Sequence, residues 1–179
     1  VHFSSELFMT IYDSTCMECE PDAQCTRKYG ACFINGHCFA AGEANPDNWC
    51  EMCDPDVSEN YFVTRRVNEA PYFITPSRIV KVPEEQLDVY IEAIDPEDRN
   101  VTYVLDFVTN LEITLDADGL LRWYSGRRIT VRLEVSAYDE CHKRVTKDFE
   151  LAIIDCKCKN GGKCIPDPEL TKGQGHYIC

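Results

Sequence analysis

The chain has 179 residues, 12 of them cysteine, and a formal net charge of −13. The acidic excess runs through both parts: residues 1–66 hold 11 acidic and 4 basic side chains, and residues 67–179 hold 20 and 14. That balance argues against nucleic acid or an anionic membrane surface as a partner, and no apolar run approaches the ~20 residues needed to insert across a bilayer.

Val1-His2-Phe3-Ser4 has neither the charged start nor the apolar core of a signal peptide. The chain opens without Met and stops on a cysteine, so it reads as a processed piece of something larger. Phe3, Leu7, Phe8, Met9, Ile11 and Tyr12 make residues 1–12 apolar enough for a strand or short helix. Seven cysteines follow, at Cys16, Cys19, Cys25, Cys32, Cys38, Cys50 and Cys53, with Gly30, Gly36, Gly42, Pro21, Pro46 and Pro55 between them. Such spacing predicts loops, and a segment this small, residues 1–66, buries too little apolar surface to hold its shape without cross-links.

The pairs Cys16/Cys19 and Cys50/Cys53 have the two-residue spacing that can bite a tetrahedral zinc ion, with His37 beside Cys38 as a further ligand. The interval between the pairs is longer than in a zinc ribbon, and disulfides account for the same pattern with one assumption. Cysteine usage of this density points to an oxidising, extracellular compartment. Seven is odd, so one of these cysteines stays free, joins another chain, or reaches Cys141 or the carboxy-terminal cysteines. Thr26-Arg27-Lys28 would be the bait if the segment were a protease inhibitor.

Residues 67–155 change character. Leu87–Val89–Ile91–Ala93 and Ile129–Val131–Leu133–Val135–Ala137 are apolar at every second position, which gives each strand one dry and one wet face. Shorter runs lie at Tyr72–Ile74, Ile79–Val82, Val101–Leu105, Leu111–Leu115, Leu120–Tyr124 and Phe149–Ile154, separated by turn chemistry at Asp95-Pro96-Glu97-Asp98, Asp116-Ala117-Asp118-Gly119 and Ser125-Gly126. Seven or eight short strands in this space predict an antiparallel β-sandwich. Asn100-Val101-Thr102 is a glycosylation sequon at the start of a strand. Trp123 and Tyr124 read as packing residues.

Asn68-Glu69-Ala70-Pro71, Pro83-Glu84-Glu85, Ala93-Ile94-Asp95-Pro96-Glu97 and Ala137-Tyr138-Asp139 together resemble the cadherin family and related immunoglobulin-like modules. The resemblance implies a Ca²⁺ site at one end of the sandwich, with Glu84 or Glu85, Asp95, Glu97 and Asp139 in the ligand places. Hard oxygen donors brought together by loops suit that ion. Solvated turn carboxylates are the alternative reading. The sequence departs from the family in its shortened acidic linker and in the Leu120–Tyr124 strand, which stands where an acidic motif is expected.

From Cys156 onward, Cys156-Lys157-Cys158-Lys159-Asn160-Gly161-Gly162-Lys163-Cys164 and Gly175-His176-Tyr177-Ile178-Cys179 resemble the front half of an EGF-like domain. That resemblance implies the pairs Cys156–Cys164 and Cys158–Cys179; the alternative joins Cys141 to Cys156. The order of pieces resembles large mucin-like mosaic proteins that combine von Willebrand factor type D and EGF domains. The expected architecture is mostly β: a central antiparallel β-sandwich flanked by small, disulfide-rich, loop-dominated modules at 1–66 and 156–179.

An enzyme is not expected. The chain has no GxSxG, no HExxH and no glycine-rich phosphate loop, and His2, His37, His142 and His176 are scattered. Cys141 and His142 are adjacent, and adjacent strand residues point to opposite faces. The expected role is a structural or adhesive module of a secreted or cell-surface glycoprotein, needing no cofactor beyond the Ca²⁺ just named. Its expected partners are other extracellular proteins or copies of itself. A receptor-type binding module is the alternative.

Overall fold

A computed structural model describes residues 11–20, 24–83, 85–109, 112–124, 130–155 and 157–179. The chain forms two compact units, Val1–Val67 and Asn68–Cys179.

The first unit is built from short hairpins. β1 (Met17–Cys19) pairs with β2 (Cys25–Arg27), β3 (Ala31–Ile34) with β4 (His37–Ala40), and β5 (Ala44–Asn45), β6 (Asn48–Asp54) and β7 (Ser58–Thr64) form a three-stranded sheet. The β3–β4 hairpin turns on Asn35 and Gly36, both at positive φ, the two-residue connection that suits the twist of paired strands. Its apolar centre among the described residues is small: Cys32, Ile34 and Cys53 are buried, with Phe39 and Phe62 against them in an edge-to-face pair 4.8 Å apart. Cross-links supply the rest. Cys16 is bonded to Cys38, Cys19 to Cys25, and Cys32 to Cys53. Neither Cys-x-x-Cys pair is closed on itself, and Cys50 is also in a disulfide.

The second unit is the predicted sandwich. Its strands are β8 (Tyr72–Phe73), β9 (Arg78–Lys81), β10 (Gln86–Tyr90), β11 (Ala93–Ile94), β12 (Thr102–Val108), β13 (Ile113–Leu115), β14 (Leu120–Tyr124), β15 (Val131–Tyr138) and β16 (Arg144–Ile153). One sheet has the order β12-β15-β16-β9 and the facing one β10-β14-β13, with β8 paired to β11. All pairings are antiparallel except β9 with β16, which run parallel.

The alternation read from the sequence has the expected result. Val131, Leu133, Val135 and Ala137 of β15 are buried, and they meet Leu87, Ile91, Leu121, Trp123, Phe149 and Leu151 in one core. Trp123 is fully buried while Tyr124, one residue on, is exposed, as the two-residue period requires. Tyr124 is therefore not a packing residue. A bulge between Leu105 and Phe107 turns Phe107 out to solvent and brings Asp106 to the Ser136 hydroxyl and 3.2 Å from Arg144.

The carboxy-terminal residues belong to this second unit. They carry a 3₁₀ turn at Lys159–Gly161 and one small hairpin, β17 (Ile165–Pro166) with β18 (Tyr177–Ile178). Cys158 is bonded to Cys179. The segment lies along β9: the Val80 amide donates to the Gly173 carbonyl at 2.6 Å, and the Tyr177 hydroxyl donates to the Val80 carbonyl at 3.1 Å. Gly173 and Gly175, both at positive φ, pack closely against Ile79 and Val80, where an added Cβ would come within 2.9 and 3.0 Å of their methyl groups.

Candidate functional site

The sandwich has two ends, and its strands fix which loops share each. β16 begins beside the Asp139–Lys143 turn and ends with Ile153 opposite Lys81. Nine residue steps at ~3.3 Å put these ends roughly 30 Å apart.

At the first end three loops converge. In the turn after β11, the Asp95 carboxylate accepts the amides of Glu97 (2.9 Å) and Arg99 (3.2 Å) through Oδ1, and the Asp98 amide donates to the Asp95 carbonyl at 3.0 Å. This is the Asx-turn geometry that Asp is chosen for. In the turn after β15, Asp139 Oδ1 accepts the Lys143 amide at 2.8 Å, closing a bend in which His142 has φ +65°. The entering segment ties the two together: Asn68 Nδ2 donates to Asp139 Oδ2 at 2.6 Å, and the Glu69 amide donates to Glu97 Oε1 at 2.9 Å. The Lys143 ammonium donates to the Asn68 carbonyl.

Arg99 and Glu140 brace the rim. The guanidinium donates twice to Glu140 Oε2, at 3.0 and 2.7 Å, and Asn100 Nδ2 donates to Oε1 at 3.0 Å. The Arg99 contact holds the Glu140 carboxyl below its ordinary range, with a smaller contribution from Asn100. Asn100 is exposed at this end.

The accounting of oxygens is what marks this end. Asn68, Asp95 and Asp139 are 6%, 4% and 2% exposed. Asp139 has a donor on each oxygen, whereas Asn68 Oδ1, Asp95 Oδ2 and Glu97 Oε2 are buried without any hydrogen-bond partner. A buried acceptor left unsatisfied costs about 1–3 kcal/mol, and more when charged. Here one amide and two carboxylates, linked by the same web of loop hydrogen bonds, each carry such an oxygen. These are hard donors of the kind that Ca²⁺ collects. Asn68, Asp95 and Glu97 are the residues with an oxygen free for such an ion, and Asp139 positions Asn68; the carboxylates of Asp95, Glu97 and Asp139 do not by themselves form a group with ligand atoms all within 4.8 Å of one another.

The sequence-predicted set divides between the two ends. Asp95, Glu97 and Asp139 lie at the first. Glu85 lies at the other, where its carboxylate accepts the Val82 amide at 3.0 Å and the Tyr177 hydroxyl at 3.1 Å. Glu84 lies outside the described residues. The side chain that sequence reasoning passed over is Asn68, seen there only as part of a shortened linker. Its amide becomes informative once the fold brings it against Asp139, 71 positions away.

Lys81, also at the second end, is fully buried, with its ammonium 2.6 Å from the Glu85 carbonyl and 4.7 Å from the Trp123 ring centre. Burial lowers its pKa. The same environment, with Glu85 beside it, pushes the Tyr177 phenol up.

The cysteines leave little thiol chemistry among the described residues. Cys158, Cys164 and Cys179 have sulfurs within 4.8 Å of one another, a spacing that would suit a metal. Cys158 and Cys179 are bonded to each other and Cys164 is in a disulfide, so none offers a thiolate. Of the two pairs implied by the EGF resemblance, Cys158–Cys179 is present, and Cys156 lies outside the described residues. Cys141 is disulfide-bonded, which removes it as a nucleophile for His142. Arg27 and Lys28 are tied down, Arg27 on Asn60 at 2.8 Å and over the Phe33 ring at 4.6 Å, and Lys28 on the Ser14 carbonyl at 2.7 Å. No helix among the described residues is long and apolar enough to cross a membrane.

No protein-family model matches the chain. Among solved structures, it is similar to two Bacteroides fragilis proteins. One is provisionally assigned as an alpha-galactosidase/melibiase, at 15% identity and a TM-score of 0.42 over 48% of this chain and 18% of that one. The other is provisionally assigned as an alpha-galactosidase, at 15% identity and 0.42 over 51% and 19%. The chain thus spans less than a fifth of either protein, and likeness at that TM-score carries no inference here.

Proposed function

We propose that this chain is a non-catalytic structural or adhesive module of a secreted or cell-surface glycoprotein, locked by disulfides and stiffened by Ca²⁺ at one end of its sandwich. The observation that carries the reading is the group of buried, unpartnered oxygens on Asn68, Asp95 and Glu97. Left bare, they cost stability. Bound to a divalent cation, they join the entering segment to the turn after β11. The disulfide density supports an extracellular setting, and the exposed sequon at Asn100 supports glycosylation there. Its partners on this reading are other extracellular proteins or further copies of the same module.

Ca²⁺ titration of the oxidised chain tests it. Extracellular Ca²⁺ modules bind with Kd of about 10⁻⁴–10⁻³ M. Then 10 mM Ca²⁺ stabilises the sandwich by about 1.4–2.7 kcal/mol over EDTA by mass action, seen as a raised Tm for that unit alone. An unchanged Tm removes Ca²⁺ from the reading. Titration of most of the twelve sulfurs as free thiols in untreated protein removes the rest.

A further inference from the structure

The strand β10 has a stretch of open edge, and its cause can be traced to one residue. The first strand of the sandwich runs along β11 and the end of β10: Ala93 faces Phe73 and Ile94 faces Tyr72. The ladder continues as Ile74 N–H to the Glu92 carbonyl at 3.0 Å and Glu92 N–H to the Thr75 hydroxyl at 2.7 Å. Continued by the same register, the next residue to face Tyr90 is Pro76. Proline has no N–H to offer a ladder. The chain instead crosses to the other sheet, where the Ser77 carbonyl accepts the Glu150 amide at 2.8 Å and Arg78–Lys81 pairs with β16.

What it leaves behind is a cavity of about 440 Å³, within the size range of ligand sites. On one side are Asp88, Val89 and Tyr90 of β10 with Glu92 beyond it; on the other are Ile79 and the carboxy-terminal residues Thr171–Gln174. The Ile91 amide donates to the Gly119 carbonyl on the β14 side. Backbone groups alternate sides in an antiparallel strand, so the N–H and C=O of Asp88 and Tyr90 point into the cavity.

The side chains then set the chemistry. A strand laid on this edge would send alternate residues inward, toward Ile79 and Val89, and outward, beside Asp88, Tyr90 and Glu92. The outer lip on the β10 side is exposed and carries two carboxylates, Asp88 and Glu92, while Lys172 stands on the carboxy-terminal wall. Arg78 on the opposite wall is paired with Glu150 at 3.4 Å.

We propose that the open edge of β10 at Asp88–Tyr90 receives, as an added strand, an extended peptide segment of alternating apolar and basic residues. The backbone supplies affinity, the Ile79/Val89 floor takes the apolar side chains, and Asp88 and Glu92 select the basic ones. The Gly173 carbonyl and the Tyr177 hydroxyl tie the carboxy-terminal segment to β9, and that segment forms one wall of the site. The proposal does not depend on Ca²⁺ at the far end.

The probes are a hexapeptide of alternating Val and Lys, its Val/Glu counterpart, and the Val/Lys peptide methylated on its backbone nitrogens. Each is titrated into the full oxidised chain, followed by amide chemical shifts and hydrogen exchange. The expected result is saturable binding of Val/Lys, with the largest shifts at Asp88–Tyr90 and slowed exchange of the Asp88 and Tyr90 amides. Affinity should fall at least about tenfold on N-methylation, on reversing the peptide charge, and for Asp88→Asn/Glu92→Gln. Equal binding of the methylated peptide, shifts centred elsewhere, no saturation at millimolar peptide, or occupancy of the cavity by simple sugars instead would each overturn it.

Discussion

Removing the Cys32–Cys53 bond, by Cys32→Ala together with Cys53→Ala, should unfold the first unit and leave the sandwich standing. Both cysteines are 0% exposed and make up most of that unit's buried centre among the described residues, with Ile34. The bond closes a loop with a sequence separation of 21, for which loop-closure entropy gives about 3.3 kcal/mol. Loss of two buried sulfurs adds to it. A domain this small draws only about 3–5 kcal/mol from its core, so the loss is of the size of the whole. The second unit keeps its core, thirteen buried residues among those described, Ile79 to Leu151. Calorimetry of the variant should lose one transition and keep the other, and trypsin should then cut at Arg27, Lys28 and Arg65. A variant that retains both transitions, with those sites still protected, would refute the idea that covalent links rather than burial hold the first unit.

Other expectations follow from single contacts. Tyr177→Phe removes the one hydroxyl proton shared between the Val80 carbonyl and the Glu85 carboxylate and should loosen the carboxy-terminal segment by about 1–2 kcal/mol, read as faster exchange of the Val80 amide. Because burial raises the Tyr177 pKa above its unfolded value, its contribution is complete below pH ~10 and is lost as pH rises beyond it. Lys81, whose pKa is lowered, acts in the opposite sense, so the comparison is between wild type and Tyr177→Phe, where Lys81 is unchanged: the variant's alkaline limb should be flatter. Gly119→Ala places a methyl 2.5 Å from the Ile91 carbonyl at φ +91° and should cost the sandwich about 2–4 kcal/mol in urea unfolding, whereas Gly36→Ala, at φ +87° with open space around it, should cost about 1–2. Glu140 has a lowered pKa, so its contribution is present above its ordinary range and fades as pH falls through the acid limb. Glu140→Gln should flatten that limb by less than about 1 kcal/mol, since both partners are about a third exposed.

The sandwich was legible because period-2 alternation is a local property. Leu87–Ile91 and Val131–Ala137 show it in the sequence and are buried on the face it indicates. The parallel pairing of β9 with β16 was not legible, because it follows from Pro76 refusing one ladder and Ser77 joining another some seventy residues away. Strand order is a long-range choice, and a run such as Arg78–Lys81 carries no mark of its partner. Asp95 could be read from its turn and Asp139 from its place after a strand, but Glu85 sits in an equally acidic turn and serves the opposite end. Only the register of β9 and β16 separates them. The burial of Lys81 went unread for a related reason: its ammonium is accommodated by the Glu85 carbonyl and the Trp123 ring, neither of which announces itself nearby in sequence as a lysine site.

The oxygens at the first end give the sharpest test, because the sign of the effect should reverse with conditions. In Asp95→Asn, Oδ1 can keep both backbone amides, Glu97 and Arg99, that fix the turn. The unpartnered Oδ2 is replaced by a neutral amide N–H₂, which removes a buried carboxylate oxygen that has no hydrogen-bond partner. In EDTA the variant should therefore be more stable than wild type, by about 1–2 kcal/mol, since a buried unsatisfied carboxylate has been exchanged for a neutral amide. In 10 mM Ca²⁺ the order should invert, because the variant has lost one anionic ligand and wild type alone gains by binding. Denaturant unfolding of both proteins in both buffers gives the four numbers required. If Asp95→Asn is the less stable protein in EDTA as well as in Ca²⁺, the carboxylate is satisfied without a cation and the site does not exist.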